Sequence, residues 1–296
     1  MTSAAPAPPP DYLALGHLSL DHTLHLSSSS VAGAADAPPA LGGTAAYATL
    51  TAGALGRRPA IVTSAAADVD LSPLAGVQLH VIPSAQSTTF HNEIDGARRL
   101  QTLRACAGGI VEGSIPSAWK TASIIHLAPI AGELAPGLAS GFGRECFIGV
   151  TPQGWMRQWD AEGRIRPAPW DSAQEALDAA DAVVMSLEDL GGDEATVEAI
   201  AAATRLLALT EGPAGARVYW NGDVRRIPAP PAPQVDPTGA GDVFAAAFFI
   251  RLYDTRDPWE AARFANQLAS ISVTRPGLRG VPTPEEALQA SMVVIR

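Results

Sequence analysis

The chain has 296 residues, enough for one large α/β domain or two small ones without disulfides or metals to hold a core. With 47% hydrophobic and only 17% charged residues it is not an intrinsically disordered chain. Thirty acidic against 20 basic residues, a net charge of −10, argue against nucleic acid or an anionic membrane as partner, so an anionic substrate has to be met by local groups.

The Pro/Ala stretch Ala4 to Pro10 reads as a flexible leader covering residues 1–11. It has neither the basic start nor the apolar run of a signal peptide, and no apolar stretch approaches the ~18 residues of a membrane span, so a cytoplasmic protein is expected. Tyr12–Leu15 reads as a buried strand, and after Gly16 the alternation of Leu18, Leu20, Leu24 and Leu26 with Ser19, Asp21, Thr23 and His25 reads as a half-buried one. A polar loop over Ser27 to Pro39 leads into Gly42-Gly43 and an Ala-rich helix ending near Leu55. Short strands follow at Ala60–Thr63 and Val77–Ile82, and then two alternating runs, Ser87–Ile94 and Arg98–Arg104, are joined by the hairpin signal Asp95-Gly96.

Beyond Pro116 the texture becomes strand then helix. Strands are expected at Ser123–Leu127, Cys146–Val150, Ala182–Met185 and Leu206–Thr210, with helices around Asp171–Ala180 and Asp193–Thr204. This alternation predicts an α/β fold with a central, mainly parallel sheet flanked by helices. Three helices close the chain, at Gly239–Tyr253, Pro258–Thr274 and Pro284–Ala290.

Cys106 and Cys146 have neither metal-ligand nor disulfide-framework spacing. His22 and His25, three apart on a strand, fall on opposite faces and make no metal pair. The informative stretch is Gln234-Val235-Asp236-Pro237-Thr238-Gly239-Ala240-Gly241-Asp242, running into the apolar helix that starts Val243-Phe244. Small residues let backbone N–H groups approach a ligand, and a helix N-terminus carries about +0.5 of a charge, so Gly239, Ala240 and Gly241 can cradle an anion. Asp242 in the first turn beside that anion makes sense as an acceptor of a hydroxyl proton, although G-x-G-D alone is equally an ordinary turn with a favourable first-turn acid.

The longer string D-P-T-G-A-G-D-x-F resembles the C-terminal signature of the ribokinase/PfkB family of small-molecule kinases. The resemblance extends to Leu15–Asp21, to Gly42-Gly43-Thr44-Ala45-Ala46-Tyr47, and to Thr210-Glu211-Gly212-Pro213-Ala214-Gly215, which is similar to a T-x-G-x-x-G nucleotide loop. It implies a ribokinase-like domain over residues 12–296, with a small β lid built from about 16–36 and 87–107 and the active site between lid and sheet. The implied reaction is ATP-dependent phosphorylation of a hydroxyl on a small polyol or sugar, with Mg²⁺, a monovalent cation beside Asp236, and a homodimer among the arrangements the family allows. By the same resemblance Asp242 is the base and Gly239, Ala240 and Gly241 the anion hole. Asp21, Gly42, Gly43 and Tyr47 then bind the acceptor, Thr210, Gly212, Gly215 and Asn266 bind the nucleotide, and Asp189 and Asp236 serve the metals.

The chain departs from the family pattern at Ser186-Leu187-Glu188-Asp189, where N-x-x-E is usual, and at Thr151-Pro152-Gln153-Gly154, where D-P-Q-G is usual. Tyr47 and Ser186, each where the family has Asn, make the myo-inositol kinase branch the nearest in motif detail. A nucleoside (adenosine-type) kinase and a non-catalytic ligand-binding protein on the same fold are the rival readings.

Overall fold

The structure, a computed structural model, describes residues 8–25, 39–95 and 98–292. Fifteen strands are described: β1 Tyr12–Leu15, β2 Ser19–His25, β3 Ala40–Gly42, β4 Pro59–Ala65, β5 Gln78–Pro83, β6 Thr88–Asp95, β7 Arg98–Ala105, β8 Ile124–Leu127, β9 Phe147–Val150, β10 Arg157–Trp159, β11 Ile165–Pro167, β12 Ala182–Ser186, β13 Leu206–Thr210, β14 Ala216–Trp220 and β15 Asp223–Ile227. The described α-helices are α1 Thr44–Ala54, α2 Ala173–Ala179, α3 Glu194–Ala203, α4 Ala240–Thr255, α5 Pro258–Ser272 and α6 Pro284–Met292.

Nine strands form the central sheet in the order β15-β14-β13-β12-β9-β8-β1-β4-β5, parallel from β5 to β13 and closed by the antiparallel pair β14 and β15. Alternation within each strand divides the core. Tyr12 and Ala14 face one cluster with α1, α4 and α5, while Leu13 and Leu15 face the other with α2 and α3. Helix α4 is buried from Val243 to Ile250 against one face of the sheet, so only its first turn is free to reach a ligand.

The lid is a four-stranded sheet in the order β3-β2-β6-β7. It includes β2, β6 and β7, which lie within the stretches 16–36 and 87–107 where a lid is expected, together with β3 at Ala40–Gly42, a three-residue strand too short to show a period. The expected lid stretch 26–36 and the turn residue Gly96 lie outside the described residues. The expected leader ends earlier than residue 11: the carbonyls of Pro8 and Pro9 accept from Gln78 and Arg58, each at 3.1 Å, and the Asp11 carboxylate accepts from the Arg58 amide at 2.7 Å.

A second hairpin, β10 with β11, leaves the body after β9 and joins the lid at its outer strand. The Leu103 amide donates to the Gly163 carbonyl at 2.8 Å, and Thr102 bridges to Arg164. The otherwise open edge of β7 is partly covered this way. Gly163 has φ +81 and a Cβ there would overlap the Leu103 carbonyl. Gly163→Ala is therefore expected to cost about 3 kcal/mol, against about 1 kcal/mol for Gly76→Ala, and a urea titration of both variants checks the difference. Gly76 has φ +89, but a Cβ there meets open space.

Candidate active site

One cleft of about 1920 Å³ runs between the lid and the C-terminal ends of the parallel strands, larger than a single small-molecule pocket of ~300–1,000 Å³ and roomy enough for two substrates. It is the place where ligands gather on open α/β sheets. Asp242, Gly239, Ala240 and Gly241 line it, as do Asp21, Gly43 and Tyr47 from the lid side and Thr210, Gly212, Gly215, Asn266, Asp189 and Asp236 from the sheet side. Gly42 lies just behind: a Cβ on it would overlap the Asp21 carboxylate, so this glycine lets β3 lie against the acid. Gly43, with φ +93 and the His17 carbonyl 2.7 Å from where its Cβ would be, allows α1 to begin against the lid strand.

The anion cradle differs from the expected three amides. Gly239 caps α4 in the left-handed region, φ +79, and the turn this creates directs the Ala240 amide to the Pro237 carbonyl at 3.1 Å. Among the described residues the amides of Gly239 and Gly241 meet no acceptor, which leaves two donors rather than three at the positive end of the helix. The Tyr47 ring packs where a Gly239 side chain would be, so this tyrosine supports the loop. Asp242 occupies the first turn; burial pushes the Tyr12 phenol well up, and the negative charge of Asp242 adds to that.

Asp236 shapes the same loop. Its two oxygens accept from the Thr238 amide at 2.9 Å and the Gly277 amide at 2.8 Å. Asp189 accepts from Gln153 at 3.0 Å and from the Ser186 amide at 3.4 Å, so the two stretches that depart from the family pattern meet each other here. Thr151, where the family has Asp, is buried and hydrogen-bonded to His126 at 3.0 Å, in a chain that continues from His126 to the Tyr12 hydroxyl at 2.8 Å. Burial holds His126 down to about 3, hence neutral.

At the other end, Thr210 donates its hydroxyl to the Met185 carbonyl at 3.3 Å, and the loop after it closes on itself through the Glu211 amide and the Gly215 carbonyl at 2.8 Å. Asn266 is buried, and its amide nitrogen donates to the Ile227 carbonyl at 2.8 Å. That donor ties α5 to the edge strand and leaves the second N–H and the oxygen of the Asn266 amide for other partners. No group of three or more His, Cys, Asp or Glu side chains converges among the described residues. Among them, too, no helix is long and apolar enough to cross a membrane.

Two cleft residues, Gln153 and Arg157, and one residue outside the cleft lining, Glu133, were not anticipated from the sequence. Gln153 sits within the quoted T-P-Q-G stretch, but the missing Asp drew attention to Thr151 instead. Arg157 follows four residues later and carried no periodic signal. Glu133 is buried at 6% exposure. It accepts from the amides of His17 at 2.7 Å, Ile130 at 3.0 Å and Ala131 at 2.7 Å, and so fixes the acceptor wall to the start of the lid.

With this geometry in place, the chain can be set beside known proteins. It is 29% identical over 260 residues to the inositol 3-kinase of Oryza sativa subsp. japonica, an alignment that takes in 82% of this chain and 64% of that protein, so the chain spans slightly under two thirds of the relative's length. Among solved structures it resembles a pyrophosphate-dependent kinase in the ribokinase family complexed with a pyrophosphate analog and myo-inositol, with a TM-score of 0.78, 20% identity, and coverage of 94% of this chain and 99% of that one. It also resembles in fold the Arabidopsis thaliana ribokinase complexed with ribose and ATP, with a TM-score of 0.71, 17% identity, and coverage of 97% of this chain and 100% of that one. Residues 161–286, which hold the nucleotide-type loop, the anion loop and α4, match the profile of the pfkB family carbohydrate kinases. Residues 161–286 thus carry the match to the pfkB family carbohydrate kinases, and the chain as a whole has the ribokinase fold.

Proposed function

We propose that this protein transfers the terminal phosphoryl group of ATP to a hydroxyl of a small cyclic polyol, with myo-inositol as the acceptor. The observation that carries the reading is the meeting, in one cleft, of Asp242 with the two unpaired amides of Gly239 and Gly241, opposite Asp21 and Tyr47. In such a transfer the protein supplies position and charge stabilisation more than covalent chemistry. Asp21 accepts hydrogen bonds from acceptor hydroxyls, and Tyr47 and Phe90 give flat apolar walls. Asp242 takes the proton of the attacking hydroxyl, and the Gly239 and Gly241 amides stabilise the charge that builds on the phosphoryl oxygens. The lid and the β10–β11 hairpin exclude water from the acceptor end, which protects the donor from hydrolysis.

The donor end supports a nucleotide. Ala229, Ala232, Val235, Ala269 and Val273 line the same cleft as the Thr210–Gly215 loop, and such apolar lining suits a purine and its ribose. The donor set around Asp189 suits Mg²⁺ held chiefly by phosphate oxygens and water, with one carboxylate, rather than by a protein cage. Bound there with the nucleotide, Mg²⁺ would supply neutralisation of phosphate charge. Asp236 is the carboxylate beside which a monovalent cation would act, on the loop it already shapes.

Pyrophosphate is the second donor reading, favoured by the fold neighbour whose complex holds its analog, and it would leave the apolar lining uncovered. A turnover panel separates these readings, with ATP or pyrophosphate as donor and myo-inositol, ribose, fructose or adenosine as acceptor. ATP with myo-inositol is expected to give the highest kcat/KM. A tenfold preference for ribose or adenosine overturns the acceptor, preferential use of pyrophosphate overturns the donor, and no turnover with any pair leaves the non-catalytic reading.

A further inference from the structure

We infer that Arg157 is the residue that reads the acceptor's hydroxyls from the side of the cleft facing the lid, and so determines which polyol is accepted. The inference rests on the kinase reading and adds a specificity residue to it.

Arg157 opens β10, the strand that leaves the body just after Gln153. Its hairpin is built to hold a fixed place. The Asp160 carboxylate accepts from the amides of Glu162 at 3.1 Å and Arg164 at 2.9 Å, the Gly163 amide donates to the Asp160 carbonyl at 2.9 Å, and the Gly163 carbonyl is bound by the lid at Leu103. Ile165 of the paired strand packs on the cluster of Phe90, Leu103, Ile130 and Ala131, where lid and body meet. The hairpin that carries Arg157 is thus anchored both to the four-stranded sheet and to the body.

Its side chain lines the cleft. Nη1 donates to the Ile130 carbonyl at 3.4 Å, and Ile130 lines the cleft beside Phe90. Phe90 in turn stands directly across the strand pair from Asp21. The other end of the peptide that receives Arg157, the Ala131 amide, donates to the buried Glu133 at 2.7 Å, so that peptide is fixed on both sides. The carboxylates of Asp21 and Asp242 and the planar fork of Arg157 thus line one cleft.

That combination suits a polyhydroxylated ring. A carboxylate can only accept, and a guanidinium can only donate, so a molecule held between them must offer hydroxyls that do both. Vicinal hydroxyls match the spacing of the guanidinium fork. A sugar lacking one of them would leave a charged donor without a partner, and such losses discriminate far more strongly than a misfit against an apolar wall. Arg166, a second arginine of this hairpin that lines the cleft, has a side chain 65% exposed and paired with Asp160 at 3.4 Å, so it is the weaker candidate for this role.

The test is a cycle between side chain and substrate. Arg157→Gln and the wild-type protein are assayed with the acceptor that the turnover panel selects and with its monodeoxy analogs, and KM for the donor is followed alongside. The expected result is a fall of about 10- to 100-fold in acceptor kcat/KM for Arg157→Gln, carried mainly by KM, with donor KM unchanged within twofold. One deoxy analog should be poor for the wild type by a similar factor and show no further loss with the variant. Unchanged acceptor KM, or deoxy penalties identical in both proteins, overturns the inference. A panel that selects an acceptor other than myo-inositol changes the substrate reading but leaves this cycle intact, since the cycle then uses that acceptor's own deoxy series. Thermal unfolding of Arg157→Gln at the wild-type midpoint excludes a fold defect as the cause of the expected loss.

Discussion

Asp242→Asn is expected to fold as the wild type does and to lose roughly 10²–10⁴ in kcat, the usual contribution of a positioned general base. The substitution keeps the shape of the first turn of α4, whose buried part begins only at Val243, so the packing of the helix is untouched. What it removes is the ability to take the hydroxyl proton. Because the Gly239 and Gly241 amides remain, donor binding should survive, and the loss should fall on kcat with little change in donor KM. A variant with near-wild-type turnover would remove Asp242 from the base role.

Gly241→Val is expected to lose about 10²-fold or more in kcat through a different cause. A Cβ at residue 241 meets nothing within 4 Å in the protein, so the new side chain enters the cleft itself, at the amide meant for the phosphoryl oxygens. Impairing one donor of an oxyanion-type site costs on that order. Gly239→Val is the informative contrast, since its side chain would overlap the Tyr47 ring and require φ +79, and it should lower stability as well as activity. Circular dichroism and denaturant midpoints beside kcat separate the two effects.

The parallel strands were legible in the sequence because short apolar runs such as Ile124–Leu127 and Ala182–Ser186 are buried on both faces and separated by helical stretches. Helix α4 was legible from its glycine start and apolar body. The antiparallel edge was not read, although Asn221-Gly222 between β14 and β15 is a two-residue hairpin signal, with φ +52 and +81. Arg217 interrupts the apolar pattern of β14, and its burial becomes intelligible only once Glu194 is seen to meet it in a two-point pair at 2.9 and 2.7 Å.

Within the candidate site, the glycines and acids of Asp236–Asp242 could be read because backbone conformation and charge are local properties. The partnership of Asp189 with Gln153, and that of Glu133 with three amides from two segments, depends on chain pairing across the sheet. So does the change from three donor amides to two. It follows from the left-handed turn at Gly239, which fixes the direction of the Ala240 amide and is not determined by residue type alone.

The central claim is that Asp242 at the start of α4 enables phosphoryl transfer from ATP to a polyol hydroxyl. Phosphorus NMR of the protein with ATP, Mg²⁺ and myo-inositol tests it most directly, run in parallel on wild type and Asp242→Asn. The account predicts a new phosphomonoester resonance growing in step with ADP for the wild type, and its loss by at least about 10²-fold in rate for the variant. ADP accumulating with inorganic phosphate in place of a phosphomonoester, or a phosphomonoester forming equally fast in both proteins, would contradict it.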